Sequence, residues 1–120
     1  MNPTYDEILK ANSLRGNEIK KTPLIHSPTF SDLTNSEVYL KAEFRQKTGS
    51  FKIRGAYYKI KSLSEEDKKF GVVAASAGNH AQGVALASSL ENISCTIVMP
   101  KNASPAKVAA TRGYGAKVIL

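Results

Sequence analysis

The sequence has no tryptophan and one cysteine, Cys95, among its 120 residues. A single thiol forms no intramolecular disulfide, which suits a reducing cytoplasm. No apolar run approaches the roughly 20 residues of a membrane-spanning helix. The opening MNPTYDEILK has no apolar stretch behind a basic segment, so no secretory signal is read there. The only histidines are His26 and His80. With Cys95 they lack metal-ligand spacing, and no metal is expected. Acidic residues are few, ten against seventeen lysines and arginines, for a formal charge of +7. Such a balance raises nucleic acid as a partner. Yet the lysines are scattered, and no basic stripe alternates with stacking aromatics. Neither nucleic acid nor a membrane is expected as partner, and an anionic small ligand explains the charge equally well.

What is present is 42% hydrophobic residues without a low-complexity tract, as in a globular domain. Thr4-Tyr5-Asp6-Glu7 has capping-box spacing and predicts a helix over Tyr5 to Leu14. Thr22-Pro23-Leu24 imposes an extended segment. Residues 37–44, EVYLKAEF, alternate Val38, Leu40, Ala42 and Phe44 with polar neighbours, which predicts a strand. Ile53, Ala56, Tyr57, Ile60 and Leu63 recur at helical spacing, with Ser50 as the expected cap. Ser64-Glu65-Glu66-Asp67 starts a short charged helix that ends near Gly71.

Beyond it the pattern changes. GVVAAS reads as a strand buried on both faces, Asn79 to Leu90 as a helix, and CTIVMP as a second strand. Ser104-Pro105 opens a helix through Thr111, and AKVIL begins a third strand. Strand, helix, strand, helix, strand predicts an α/β fold with a parallel sheet and flanking helices. The shift in composition near residues 64–71 predicts a boundary between a first part, 1–65, and a second, 66–120. The third strand lacks a following helix, so the fold is expected to be the N-terminal part of something longer.

Two stretches carry candidate chemistry. TGSFKIRG, residues 48–55, places Lys52 in the first turn of a helix, where the dipole disfavours a cation. A surface lysine tolerates that at about 0.3–1 kcal/mol. The sharper reading is a lysine that loses its proton easily and serves as an amine nucleophile toward a carbonyl. SAGNHAQG, residues 76–83, lies where a parallel strand passes into a helix, the crevice in which open α/β sheets bind ligands. Gly78 allows close backbone approach, Ser76 and Asn79 add donors, and the helix N–H groups face an anion. An ordinary turn explains the same residues, with Asn79 as cap, Gly78 at positive φ and His80 on the surface. Gly78 and Gly83 have Walker-like spacing, but no Gly-Lys-Ser/Thr follows. GYG at 113–115 follows a helix and lacks a third glycine, so it is no dinucleotide fingerprint.

KAEFRQKTGSFKIRGA followed by VVAASAGNHAQGVALA resembles the threonine dehydratases, pyridoxal-phosphate enzymes of the tryptophan-synthase-β-like fold. KTPL at 21–24, VMPKNASPAKV at 98–108 and the final GYGAKVIL are similar to the same family, so the likeness runs from about residue 5 to 120. The resemblance implies that Lys52 holds the cofactor through a Schiff base and moves the substrate's α-proton. Phe51 would pack near the pyridine ring, and Asn79 would bond the ring hydroxyl. Ser76, Gly78, Asn79 and His80 would surround the substrate carboxylate. The reaction implied is α,β-elimination, from L-threonine to 2-oxobutanoate or from L-serine to pyruvate, with release of ammonia. Cysteine synthases typically read SVKDR and SGNTG where this chain has SFKIR and AGNHA. Serine racemases resemble the chain closely but carry a serine acid/base where this chain has Ala77, and a methyl group carries no proton. The glycine-rich phosphate loop and the partner of the pyridine nitrogen would follow position 120. The alternatives are a serine racemase-type enzyme and a non-enzymatic anion-binding or interaction fragment. The resemblance further implies a cytoplasmic homo-oligomer acting on a small amino acid.

Overall fold

The computed structural model describes residues 3–120. Its first helix, α1, spans Tyr5–Leu14. The Thr4 side chain accepts from the Glu7 N–H and the Glu7 carboxylate accepts from the Thr4 N–H, so the expected capping box forms. Two short strands follow, β1 (Leu24–His26) and β2 (Tyr39–Lys41), paired antiparallel with Leu24 opposite Lys41. Between them lies a helix that the sequence analysis did not anticipate, α2 (Pro28–Thr34). Its signal was legible: Ser27 caps the Phe30 N–H, Pro28 takes the first helical position, and Asn35 closes the helix in the left-handed conformation.

The strand expected over 37–44 is shorter than its alternation suggested. Ladder pairing stops at Lys41, and Glu43–Arg45 turns into a single 3-10 turn. Ala42 is buried, but Leu40 and Phe44 are exposed. Among the described residues the two-stranded ribbon has no layer packed on it that would use the alternation.

The helix with the candidate lysine, α3, spans Lys52–Lys61. It starts two residues after Ser50, with Phe51 at the cap position and no side-chain cap, so Ser50 does not cap it. Ile53, Ala56, Tyr57 and Ile60 are buried on one stripe, as their spacing predicted. A short charged helix, α4 (Glu65–Phe70), is capped by Ser64 and ends at Gly71. Gly71 has φ 76° and ψ −171°, a region open in practice only to glycine. It turns the chain into β3 (Val72–Ala75).

The second half alternates as expected: α5 (Asn79–Leu90), β4 (Cys95–Val98), α6 (Pro105–Gly113) and β5 (Lys117–Ile119) follow β3. The sheet is parallel in the order β3-β4-β5, with Val72 beside Cys95 and Thr96 beside Lys117. The expectation that β3 and β4 are buried on both faces is corrected. Adjacent strands in sequence order, joined by right-handed crossovers, put both connecting helices on one face. Val72, Ala74, Cys95 and Ile97 share the face toward α5, whereas Val73 is 76% exposed and lies with Ala75, Val98 and Ile119 on the open face.

α5 is sandwiched between this sheet and α3. Ile53, Tyr57 and Ile60 of α3, Ala81, Val84, Ala85 and Ala87 of α5, and Ile97 of β4 form one continuous core. The helix that carries Lys52 is therefore packed directly on the helix that begins at Asn79.

Candidate active site

The segment preceding Lys52 is held from several directions. Gln46 is buried, and its amide brackets Lys20: Nε2 donates to the Lys20 carbonyl at 3.0 Å, and Oε1 accepts from the Lys20 N–H at 3.1 Å. Lys47 pairs with Glu18 at 2.8 Å, and the Tyr114 hydroxyl donates to the Lys47 carbonyl at 3.3 Å. Gly49 then takes φ 69°, which reverses the chain into Ser50 and Phe51.

A second set of bonds fixes the first turn of α3. Arg54 Nε donates to Glu43 Oε2 at 2.8 Å and Nη2 to Oε1 at 2.7 Å, a two-pronged pair. Nη2 also reaches the Lys20 carbonyl at 3.2 Å, and the Thr22 hydroxyl donates to the same Glu43 carboxylate. The guanidinium, opposed by partial burial and helped by Thr22, holds the Glu43 carboxyl down at about 2. Glu43 in turn raises the Arg54 pKa. The KTP segment, the 3-10 turn and α3 thus meet two residues past Lys52.

Lys52 is the first residue of α3, as expected. Its amine is exposed and lies 4.9 Å from the centroid of the Phe51 ring. Ser50, two residues earlier, has a buried hydroxyl without a hydrogen-bond partner among the described residues, as has Thr48.

The second motif connects β3 to α5. Gly78 is the cap residue with φ −130°, so it needs no positive φ, and Asn79 is the first helical residue rather than the cap. No side chain caps this end, which leaves the first N–H groups of a 12-residue helix without a side-chain acceptor. Ser76 Oγ accepts from the Gly78 N–H at 3.3 Å and braces the turn from inside. Asn79 is exposed. His80, itself exposed, lines an open cavity of about 280 Å³ walled by Ala56, Ile60, Val72 and Val84.

The two motifs meet through a residue not singled out for this role. A Cβ on Gly83 would lie 3.1 Å from the Lys52 carbonyl carbon and 3.1 Å from the Ile53 nitrogen. Gly83 is thus in backbone contact with the candidate lysine, and Asn79 stands one helical turn before it, about 6 Å along α5. The one available signal was a glycine inside a helical pattern, which calls for a packing reason. Glu43, Gln46 and Tyr114 left no comparable trace, because their partners are distant in sequence. Chemically, the arrangement offers a primary amine with an aromatic neighbour, and within a helical turn or two an amide and a row of anion donors.

The sequence matches the family described as pyridoxal-phosphate dependent enzyme over residues 16–120. It is 56% identical over 117 residues to an L-threonine ammonia-lyase of Thermotoga maritima, covering 98% of this chain and 29% of that protein. The fold matches a serine racemase from Dictyostelium discoideum with a TM-score of 0.91 at 43% identity, over 96% of this chain and 38% of the other. It matches the processed form of threonine deaminase isoform 2 from Solanum lycopersicum with a TM-score of 0.83 at 37% identity, over 100% of this chain and 34% of the other. The chain therefore spans about a third of the length of the relatives it matches. With a family match from residue 16 to 120 and a relative this similar over nearly the whole chain, the chain belongs to the family of pyridoxal-phosphate-dependent enzymes.

Proposed function

We propose that the protein to which this chain belongs is a threonine ammonia-lyase that converts L-threonine to 2-oxobutanoate and ammonia, and L-serine to pyruvate and ammonia. The observation that carries the reading is the backbone contact of α3 and α5, which brings the lysine turn to within a helical turn of Asn79. The residues present fit the cofactor at its aldehyde and ring. Lys52 supplies an accessible amine, Phe51 an aromatic face, Asn79 an amide, and Ser50 a buried donor that is unspent within the chain. When bound, pyridoxal phosphate supplies the electron sink that acidifies the substrate's α-proton.

In this reading Lys52 has two tasks. Its amine would hold the cofactor, and it would remove the proton from the substrate α-carbon. The Asn79 amide would orient the cofactor's ring by hydrogen-bonding the ring hydroxyl. The turn Ser76–His80 binds the substrate carboxylate on the free N–H groups that open α5. Water leaves from the β-carbon, and a second water releases ammonia, so the substrate's atoms are fully accounted for in a 2-oxo acid and ammonia.

Ala77 favours elimination over racemisation. Return of a proton to the opposite face of the α-carbon needs an acid there, and alanine offers none. We further propose that residues 1–65 belong to the large domain and 66–120 to the small one, that α3 and α5 form their shared wall, and that the enzyme is a cytoplasmic homo-oligomer. No helix among the described residues is long and apolar enough to cross a membrane.

The test is reductive tagging. Borohydride reduction of the intact protein with pyridoxal phosphate should label the peptide containing Lys52, and Lys52→Ala should abolish both the label and turnover of L-threonine. Labelling of another lysine would refute the assignment.

A further inference from the structure

The geometry points to Gly83 as a positioning residue that sets the distance between Lys52 and the turn Ser76–Asn79. The inference deepens the reading of this site as a pyridoxal-phosphate site and rests on it. Gly83 is buried in the middle of α5 and faces backbone rather than a side chain. A methyl group there would stand 3.1 Å from the Ile53 nitrogen, 3.1 Å from the Lys52 carbonyl carbon and 3.2 Å from its oxygen. All three distances lie inside ordinary van der Waals contact. A long side chain would swing away, but peptide atoms at the start of a helix cannot.

Helix stability alone would place alanine here, because glycine is disfavoured within a helix. The close approach supplies the opposing reason. Lys52 is the first residue of α3, so a push on its carbonyl displaces the residue that bears the amine. Asn79 is four residues before Gly83 on the same rigid helix, so the same push separates the amine from the amide and from the anion donors. An added methyl would open that separation by a few tenths of an ångström. Misplacement of reacting groups on this scale costs on the order of tenfold in rate.

Three versions of the intact protein test the inference: the parent, Gly83→Ala, and Gly113→Ala as a control in which the new methyl meets nothing within 4 Å. The primary measurement is the rate at which pyridoxal phosphate is trapped on Lys52. The aldehyde condenses with the amine, water leaves, borohydride delivers hydride to the resulting carbon–nitrogen double bond, and peptide mapping identifies the site. The companion measurements are kcat and KM for L-threonine and the melting temperature. The expected result is a cooperative melt for all three proteins. For Gly83→Ala the trapping rate falls on the order of tenfold, and kcat falls by more than KM changes. Trapping and kcat at parent level in a folded Gly83→Ala protein would overturn the inference. If the parent itself is not tagged at Lys52, the pyridoxal-phosphate reading fails instead, which keeps the two outcomes distinct. Should Gly83→Ala lose its cooperative melt under the assay conditions, all three proteins are compared again at a temperature and sucrose concentration at which Gly83→Ala melts cooperatively, since sucrose favours the folded state. Slow trapping in that folded protein supports the role, and parent-level trapping overturns it.

Discussion

Replacing Glu43 by glutamine tests the network that anchors α3. The amide keeps the shape of the carboxylate and one acceptor, for the Thr22 hydroxyl and Arg54 Nη2, and removes both the charge and the acceptor opposite Arg54 Nε. In the folded chain the Glu43 carboxyl titrates at about 2 instead of the ordinary 4.5, chiefly because Arg54 donates two hydrogen bonds to it. At about 1.4 kcal/mol per pH unit, that interval sets a ceiling of about 3 kcal/mol. Solvent lowers it: the Arg54 side chain is 33% exposed and that of Glu43 is 16% exposed. Screening at a partly exposed pair leaves about 1–2 kcal/mol. Between pH 4.5 and 2 the unfolded chain binds a proton at this site and the folded chain does not, so stability rises with pH through that window. The contribution is complete above pH 4.5 and is lost as pH falls toward 2. Urea unfolding of the intact protein at several pH values from 7 down to 2.5 should show Glu43→Gln less stable by about 1–2 kcal/mol at neutral pH, with the two proteins converging in acid. A deficit of constant size down to pH 2.5 would refute the electrostatic account and point to a steric one. Equal stability at pH 7 would mean that the ion pair contributes nothing net.

Three further outcomes are expected. Gly71→Ala should cost about 3 kcal/mol or more in urea unfolding, because a side chain at φ 76° is strained and its Cβ would lie 2.7 Å from the Ser94 carbonyl oxygen. Cys95 is buried, and desolvation pushes its thiol pKa up, so a thiol reagent at pH 7.5 should label it only as fast as the protein opens, with rapid labelling in denaturant. Ala77→Ser should raise racemisation relative to elimination, read by chiral chromatography of recovered serine; no D-serine above the parent's level would show that residue 77 does not face the α-carbon.

Elements whose instructions are local were legible from sequence. The helix from Tyr5 to Leu14 appears with the expected ends because Thr4 and Glu7 satisfy each other within one turn. α5 runs from Asn79 to Leu90 as read, and the short charged helix stops at Gly71 for the reason its sequence suggests. The misreadings have a common cause, which is that burial is decided by partners distant in sequence. Val72–Ala75 is apolar at every position, yet only alternate side chains are covered, because both crossover helices lie on one side of the sheet. EVYLKAEF alternates as a half-buried strand does, yet three residues pair before the 3-10 turn that delivers Glu43 to Arg54. That irregular turn has a physical purpose. A regular strand continuing past Lys41 would carry Glu43 along with it, away from the first turn of α3.

The site shows the same division between local and distant instructions. Lys52 was found because a cation at the start of a helix conflicts with the dipole, and a conflict is visible in one stretch of sequence. Gly83 is a conflict of the same kind, a poor helix former inside a helix, but its resolution lies thirty residues upstream in the backbone of Lys52 and Ile53. Neither motif alone brings the proposed nucleophile to the proposed anion-binding turn. The fold does so by packing α3 on α5 at the one position where α5 has no side chain. Lys52 is exposed in this chain, and the helix start and Gly83 fix where it stands. Gly83→Ala should therefore alter the rate at which Lys52 captures an aldehyde.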